Sequence, residues 1–287
     1  MIDLHTHSTA SDGSLSPSAL MAEAAQQGLS AIALTDHDTI NGLNEAQDEA
    51  ERRRICFIPG IEIEINWGQD TSGGEFHLLG LGLKTPSDSF RAAVAGLARL
   101  REARNLEILE RMHSLSIDAE YQEIRALSGG HSVGRPHFAA FLVQRRIVKN
   151  TEQAFKCYLG KGKPLYAPKP GMDFEHAVSV IRESGGISVL AHPMSLYVAW
   201  GRLPDLVKSL KARGLEGIEA WHPLAPVRNC LRLEELGNSL GLFVTAGSDF
   251  HGETRADRKL GMSAGKRKIE DRFLLDIPPL QEFNRQR

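Results

Sequence analysis

The segment Asp3-Leu4-His5-Thr6-His7-Ser8 carries two histidines at i and i+2. In extended chain that spacing points both imidazoles to one side, where they can reach one metal ion. A single His-x-His is weak evidence, but further segments of similar character accompany it. His37 stands between carboxylates in Thr35-Asp36-His37-Asp38, as a candidate ligand with a neighbouring aspartate to orient it. Asp36 and Asp38 themselves are expected to act as hydrogen-bonding or capping groups. Glu62 and Glu64 alternate with isoleucine, so both face one side of a strand. Two carboxylates facing a buried interior are costly unless something positive neutralises them. If that strand pairs with the one over 76–83, His77 lies beside them. Ala191-His192-Pro193 and Gly247-Ser248-Asp249-Phe250-His251 place three more candidates after apolar runs, the latter again at i and i+2. Asp12, in Ser11-Asp12-Gly13, would be an ordinary turn aspartate if it stood alone.

Together these residues point to one chemistry. Six of the 11 histidines (His5, His7, His37, His77, His192 and His251) recur with three carboxylates (Asp12, Glu62 and Asp249). A His/carboxylate set without thiolate suits Mn²⁺, Fe²⁺ or Zn²⁺. Nine ligands exceed the needs of one ion, so two to three divalent ions are expected, Mn²⁺ ahead of Fe²⁺ or Zn²⁺. Clustered divalent ions serve to hydrolyse phosphate esters by activating water and neutralising charge on the phosphoryl group.

The elements that must position these groups follow from hydrophobic period and capping signals. Apolar runs at 2–4, 31–34, 55–58, 61–65, 76–83, 187–190, 217–220 and 242–245 predict about seven strands. Ser16-Pro17 offers an N-cap with proline at the first helical position, and Gly28 closes that helix. Further helices are predicted over 41–54, 173–184, 203–213 and 226–240. Residues 69–74 read as a turn. From 87 to 160 only helical patterns occur, at 87–115, 119–127, 136–145 and 152–159. The fold class expected is therefore α/β, a TIM-like barrel with an inserted all-helical domain, divided as 1–86, 87–160 and 161–287. In such barrels the C-terminal strand ends carry the chemistry, and the six candidate histidines fall at predicted strand ends or in strands that face one pocket.

Composition agrees with an ordinary globular chain, 287 residues long, with 41% hydrophobic and 24% charged residues. That excludes disordered, collagen-like and disulfide-scaffold classes. The net charge of −2 argues against bulk attraction to a nucleic-acid backbone, so no stable nucleic-acid complex is expected. No apolar run is long enough to span a membrane, and residues 1–5 carry no signal-peptide pattern, so a cytoplasmic location is expected. Cys56, Cys157 and Cys230 form no CxxC pair and read as small buried residues.

The motifs, taken in order, resemble the PHP (polymerase and histidinol phosphatase) family. They are DLHTHS at 3–8, SDG at 11–13, TDHD at 35–38, PGIEI at 59–63, HLLGLG at 77–82, AHP at 191–193 and GSDFH at 247–251. The resemblance implies a distorted (β/α)7 barrel with a trinuclear site. It implies one ion held by His5, His7, Glu62 and Asp249, a second sharing Glu62 and taking His77 and His192, and a third on Asp12, His37 and His251. Asp12 stands where many members carry histidine. GRPH at 134–137 and YLGKGKP at 158–164 resemble the TrpH-like nucleotide-phosphatase branch. That branch implies removal of the 3′-phosphate from nucleoside 3′,5′-bisphosphates such as pAp, or 5′→3′ degradation of short 5′-phosphorylated RNA. Histidinol phosphatase and a non-catalytic accessory module are weaker alternatives.

Residue chemistry assigns further roles. Arg135 offers a fork of donors suited to a phosphate, and is expected to hold the substrate's second phosphate from a capping insertion. His137 is expected to contact a phosphate or the leaving oxygen, and His222 to line the pocket. Asp249, His192 and His251 are expected to act in the step itself, with His192, His251 and His137 the candidate proton donors. Lys161, Lys163 and Lys169 either steer an anion or lie solvated in a loop. His113, His131 and His176 carry no assigned role. The sequence leaves the oligomeric state and base preference open.

Overall fold

The computed structural model describes residues 1–67, 74–128 and 133–284. The turn expected over 69–74 lies outside these residues apart from Gly74, and so does His131. Seven strands lie side by side in chain order: β1 (Ile2–Asp3), β2 (Ala31–Leu34), β3 (Cys56–Glu64), β4 (His77–Leu81), β5 (Ile187–Leu190), β6 (Gly217–Trp221) and β7 (Phe243–Ala246). The end strands meet. Leu4 N–H donates to the Ala246 carbonyl at 3.3 Å, Asp249 N–H to His5 at 2.9 Å and His7 N–H to Phe250 at 2.9 Å. The sheet thus curls into a nearly closed barrel, as expected.

Its strands are mixed in direction. β1, β2 and β3 are parallel, as are β5, β6 and β7, whereas β4 is antiparallel to both β3 and β5. A parallel pair needs a crossover element, and no helix lies between β3 and β4 among the described residues. Elsewhere helices α1 (Pro17–Gln26) and α2 (Leu43–Arg53) supply the crossovers in the first half. Ser16 caps α1 by accepting the Ala19 N–H, with Pro17 at its first turn. Leu20, Met21 and Ala24 of α1 pack with Ala46 and Ala50 of α2 against Ile32, Leu34 and Phe57. Both faces of β2 are covered, which is why it reads as an unbroken apolar run.

β3 is continuous where the sequence suggested two strands split at Pro59-Gly60. Gly60 permits the join. A Cβ there would lie 2.9 Å from the Gly80 carbonyl oxygen and 2.9 Å from Thr35 Cγ2, so only glycine lets these strands approach.

The chain divides into two compact units, Met1–Val94 with Gly171–Arg287, and Ala95–Pro170. The first holds the barrel. The second contains most of α3 (Asp88–Ser114), then α4 (Tyr121–Leu127), α5 (Arg135–Gln144) and α6 (Thr151–Ala154), with no strand among its described residues. Its core includes Ile108, Met112, Phe138, Phe141, Leu142 and Leu159. The helix expected over 152–159 is broken after α6, where Phe155–Leu159 winds as a π turn. Cys157 on that turn is exposed, unlike the buried Cys56 and Cys230, which corrects the expectation that all three are buried. The barrel unit continues with α7 (Phe174–Glu183), which precedes β5, and with α8 (Leu203–Ala212) and α9 (Val227–Ser239), which supply the crossovers from β5 to β6 and from β6 to β7. No helix among the described residues is long and apolar enough to cross a membrane.

Candidate metal centre

One mouth of the barrel brings the sequence-predicted ligands together, from the C-terminal ends of the parallel strands and the loops after them and, because β4 runs antiparallel, from its N-terminal residue His77. Glu62 lies at the centre. Its Oε1 is 2.8 Å from both His77 Nδ1 and His192 Nε2, and its Oε2 is 2.9 Å from His37 Nδ1, 3.3 Å from His7 Nε2 and 3.4 Å from His5 Nε2. The β3–β4 register places Glu64 directly opposite His77, so that Nε2 of His77 meets Glu64 Oε2 at 2.7 Å. Both carboxylates of β3 therefore share this histidine, one at each ring nitrogen. Asp12 Oδ1 lies 3.2 Å from His251 Nε2, and Asp249 Oδ1 lies 3.2 Å from His7 Nε2.

Four groups among the described residues have ligand atoms close enough to hold an ion. They are His7, Asp12, His37 and His251; His5, Glu62 and His192; His5, His222 and Asp249; and His37, Glu62 and His77. One group contains the whole set that family resemblance implies for the third ion, Asp12, His37 and His251, and another joins Glu62 to His77. His7 falls with Asp12, and His5 with His192.

Donor chemistry tests whether cations fit. His5 Nε2 and His7 Nε2 face each other at 3.1 Å, and His77 Nδ1 faces His192 Nε2 at 3.2 Å. Oε2 of Glu62 is buried yet makes no hydrogen bond, and the same holds for His251 Nε2. The His251 case is specific. Its Nδ1 lies 2.8 Å from the Asp249 carbonyl, an obligate acceptor, so Nδ1 carries the proton and Nε2 presents a lone pair to Asp12. A lone pair facing a carboxylate oxygen is what a shared cation requires. These residues fit divalent ions.

Electrostatics agree. Burial raises the Glu62 carboxyl, yet His37, His77 and His5 hold it well below the usual carboxylate range. Burial likewise raises Asp249, and His5, His222 and His7 pull it well below that range. Burial lowers the His7 imidazole, but Asp249 and Glu62 outweigh it and hold His7 up at about 9. Burial and His7 together push His251 down to about 4. In the metal-free chain, protons on His5 and His7 balance the buried carboxylates, and ion binding would release them.

The surrounding groups were less legible. Asp36 does not orient His37. It accepts from the Ser8 N–H at 2.8 Å and from the Ser8 and Ser11 hydroxyls, and so fixes the loop that carries Asp12. Asp38 accepts the Glu64 N–H at 2.9 Å. Glu219, overlooked in the sequence, accepts from His5 Nδ1 at 3.0 Å and from the His192 N–H at 2.7 Å. Asp3 collects the N–H groups of His5, Ser248 and Gly261 and the Ser248 hydroxyl, although burial pushes its carboxyl up to about 6. His192 and Asp249 hold left-handed backbone, at φ 26° and 52°, a strain that such packing must offset.

A β-bulge in β6 explains His222. Strict alternation would aim residues 219 and 221 inward. The register shifts between Glu219 and Trp221, so Trp221 Nε1 reaches Glu234 of α9 while Glu219 and His222 both approach His5. In the helical unit, Arg135 lies 5.9 Å over the Tyr166 ring, and His137 Nδ1 accepts the Gly134 N–H at 2.9 Å, a local cap for α5. Lys161 and Lys163 are exposed.

A model of the PHP domain matches residues 3–159. A 5′-3′ exoribonuclease of Haemophilus influenzae is 36% identical, over 87% of this chain and 89% of its own. A 3′,5′-nucleoside bisphosphate phosphatase of Chromobacterium violaceum is 34% identical, over 97% of this chain and 93% of its own. An amidohydrolase structure from Chromobacterium violaceum, with bound sulfate, superposes with a TM-score of 0.79 at 29% identity, covering 93% of this chain and 92% of its own. The nearly closed seven-stranded barrel, its His/carboxylate cluster and these matches together establish that the chain belongs to the PHP domain family and has its metal-dependent phosphoesterase fold.

Proposed function

We propose that this chain is a divalent-metal-dependent phosphatase of nucleoside 3′,5′-bisphosphates such as pAp, releasing the 3′-phosphate and leaving AMP. The observation that carries the reading is Glu62, a buried carboxylate with five imidazole nitrogens within 3.4 Å. We assign His5, His7, Asp12, His37, Glu62, His77, His192, Asp249 and His251 as ligands of two to three ions, Mn²⁺ first. When bound, such ions activate water and neutralise charge on the transferring phosphoryl group.

The chain's own residues perform the rest. Glu62 and Asp249 hold negative charge at fixed positions between strands. His251 is a ligand rather than a proton donor, because the Asp249 carbonyl keeps its proton on Nδ1. His192 is anchored for the same role by Ser195 Oγ at 2.7 Å from its Nδ1. Arg135 is assigned to the second phosphate, on the fit of its guanidinium to that group.

The near-neutral charge of the chain favours a small substrate, as does the bisphosphate phosphatase that matches nearly its whole length. The 36% identity to a 5′-3′ exoribonuclease favours a second reading, cleavage of short 5′-phosphorylated RNA. Purified protein with Mn²⁺, offered pAp and a 5′-phosphorylated oligoribonucleotide at equal concentration, tests the two. Faster phosphate release from pAp supports the first reading. Mononucleotide release from the oligomer, with pAp untouched, replaces it by the second.

A further inference from the structure

Of the four histidines that approach Asp249, the backbone fixes two, His251 and His222, in opposite tautomers. His251 has its proton on Nδ1, against a carbonyl oxygen. His222 is the reverse. Its Nδ1 lies 3.1 Å from the Leu224 N–H, which can only donate, so Nδ1 accepts and the proton of the neutral ring sits on Nε2. That Nε2 lies 3.1 Å from Asp249 Oδ2 and donates to it. His222 therefore has no lone pair for an ion while the Leu224 bond stands, although its ring lies within ligand reach of His5 and Asp249.

A second donor closes on the same oxygen. Arg258 is buried, contacts Asp249 Oδ2 and also reaches the Asp249 carbonyl at 3.2 Å. With Oδ2 engaged twice, only Oδ1 faces the cluster, 3.2 Å from His7 Nε2 and 3.6 Å from His5 Nε2. Asp249 also holds left-handed backbone, which makes an external clamp on its side chain more necessary.

We infer that His222 is a positioning residue which, with Arg258, holds Asp249 to binding through one oxygen and is not itself a metal ligand. A carboxylate bound through one oxygen occupies one coordination position and leaves another for water or substrate. The register shift in β6 is what brings His222 to Asp249. The inference rests on the metal-centre reading above and deepens it. It differs from a substrate-contacting role for His222, because both ring nitrogens are already committed to the protein.

Co²⁺ is the probe, titrated into the metal-free full chain as wild type, His222→Gln and His222→Ala, and read by bound-ion count and visible absorption. Glutamine keeps an amide N–H in place of Nε2–H but supplies no imidazole nitrogen. Wild type and His222→Gln are expected to bind the same number of ions with the same absorption. His222→Ala is expected to bind that number about 10–100-fold more weakly, the usual effect of losing a group that orients a ligand. Altered absorption or one ion fewer in saturated His222→Gln would make His222 a ligand and overturn the inference. Wild-type affinity in His222→Ala would reduce it to packing and overturn it equally. A wild-type chain that takes up no Co²⁺ overturns the metal-centre reading itself, and this inference with it.

Discussion

Oε1 of Glu62 lies 2.8 Å from Nε2 of His192, joining β3 to the loop after β5 across the interior of the barrel. The carboxylate is 1% exposed and the imidazole 5%, so neither can relax into water if the other is lost. Glu62→Gln removes the charge that five imidazole nitrogens surround. At least one bound divalent ion per chain is expected to be lost, with phosphate release down by at least about 100-fold. Elemental analysis beside a turnover assay checks this.

Gly247 tolerates no side chain. A Cβ there would lie 2.2 Å from His5 Cβ and 2.6 Å from Glu219 Oε1. Gly247→Ala is therefore expected to destabilise the fold by about 1–3 kcal/mol through overpacking, and to weaken metal binding by displacing His5. Thermal unfolding with and without Mn²⁺ separates the two effects, because only the second reduces the stabilisation that the ion confers.

Glu219→Gln tests the support behind the ligands. The carboxylate accepts at both oxygens, from His5 Nδ1 and the His192 N–H, and an amide cannot do so. Metal affinity is expected to fall about 10–100-fold. Competition against a chromophoric chelator measures it.

The metal-free chain should show a pH dependence that ions remove. His7 is held up at about 9, from 6.5, so its stabilising contribution is complete below pH 6.5 and lost as pH rises through 9. The loss is on the order of 3 kcal/mol. His251, held down at about 4, acts oppositely, and its contribution is lost as pH falls from 6.5 toward 4. Urea unfolding of chelated protein at pH 6.5, 8 and 9 should show stability declining upward. Saturating Mn²⁺ should flatten that decline, because the ion replaces the proton on His7.

Arg135→Ala addresses substrate choice. With Arg135 on the second phosphate, kcat/KM for pAp should fall about 10–100-fold, as for a lost charge-assisted fork, while 3′-AMP is little affected. Equal losses on both substrates would remove that role.

Much of the barrel was legible because its signals are local. β2 and β5 stand where their apolar runs stand, and Ser16-Pro17 starts α1. The ligands were legible for a related reason, since His5 with His7 and Asp249 with His251 repeat one spacing. What escaped depends on register and long-range contact. Alternation cannot reveal the extra residue in β6, so Trp221 and His222 could not be placed on their faces. Glu219 looked like any strand glutamate until β6 came beside His5. Asp36 sits next to His37 in sequence, yet its oxygens go to Ser8 and Ser11, which only the fold brings near.

The nine His and carboxylate side chains are proposed to hold divalent ions that the chain uses to hydrolyse a phosphate ester. Phosphate release from pAp by the purified protein, with Mn²⁺ and then with excess chelator, tests it most directly. Turnover that chelator abolishes and fresh Mn²⁺ restores is the expected result. Turnover unchanged by exhaustive chelation, or none from any nucleotide or short RNA offered with Mn²⁺, would contradict it.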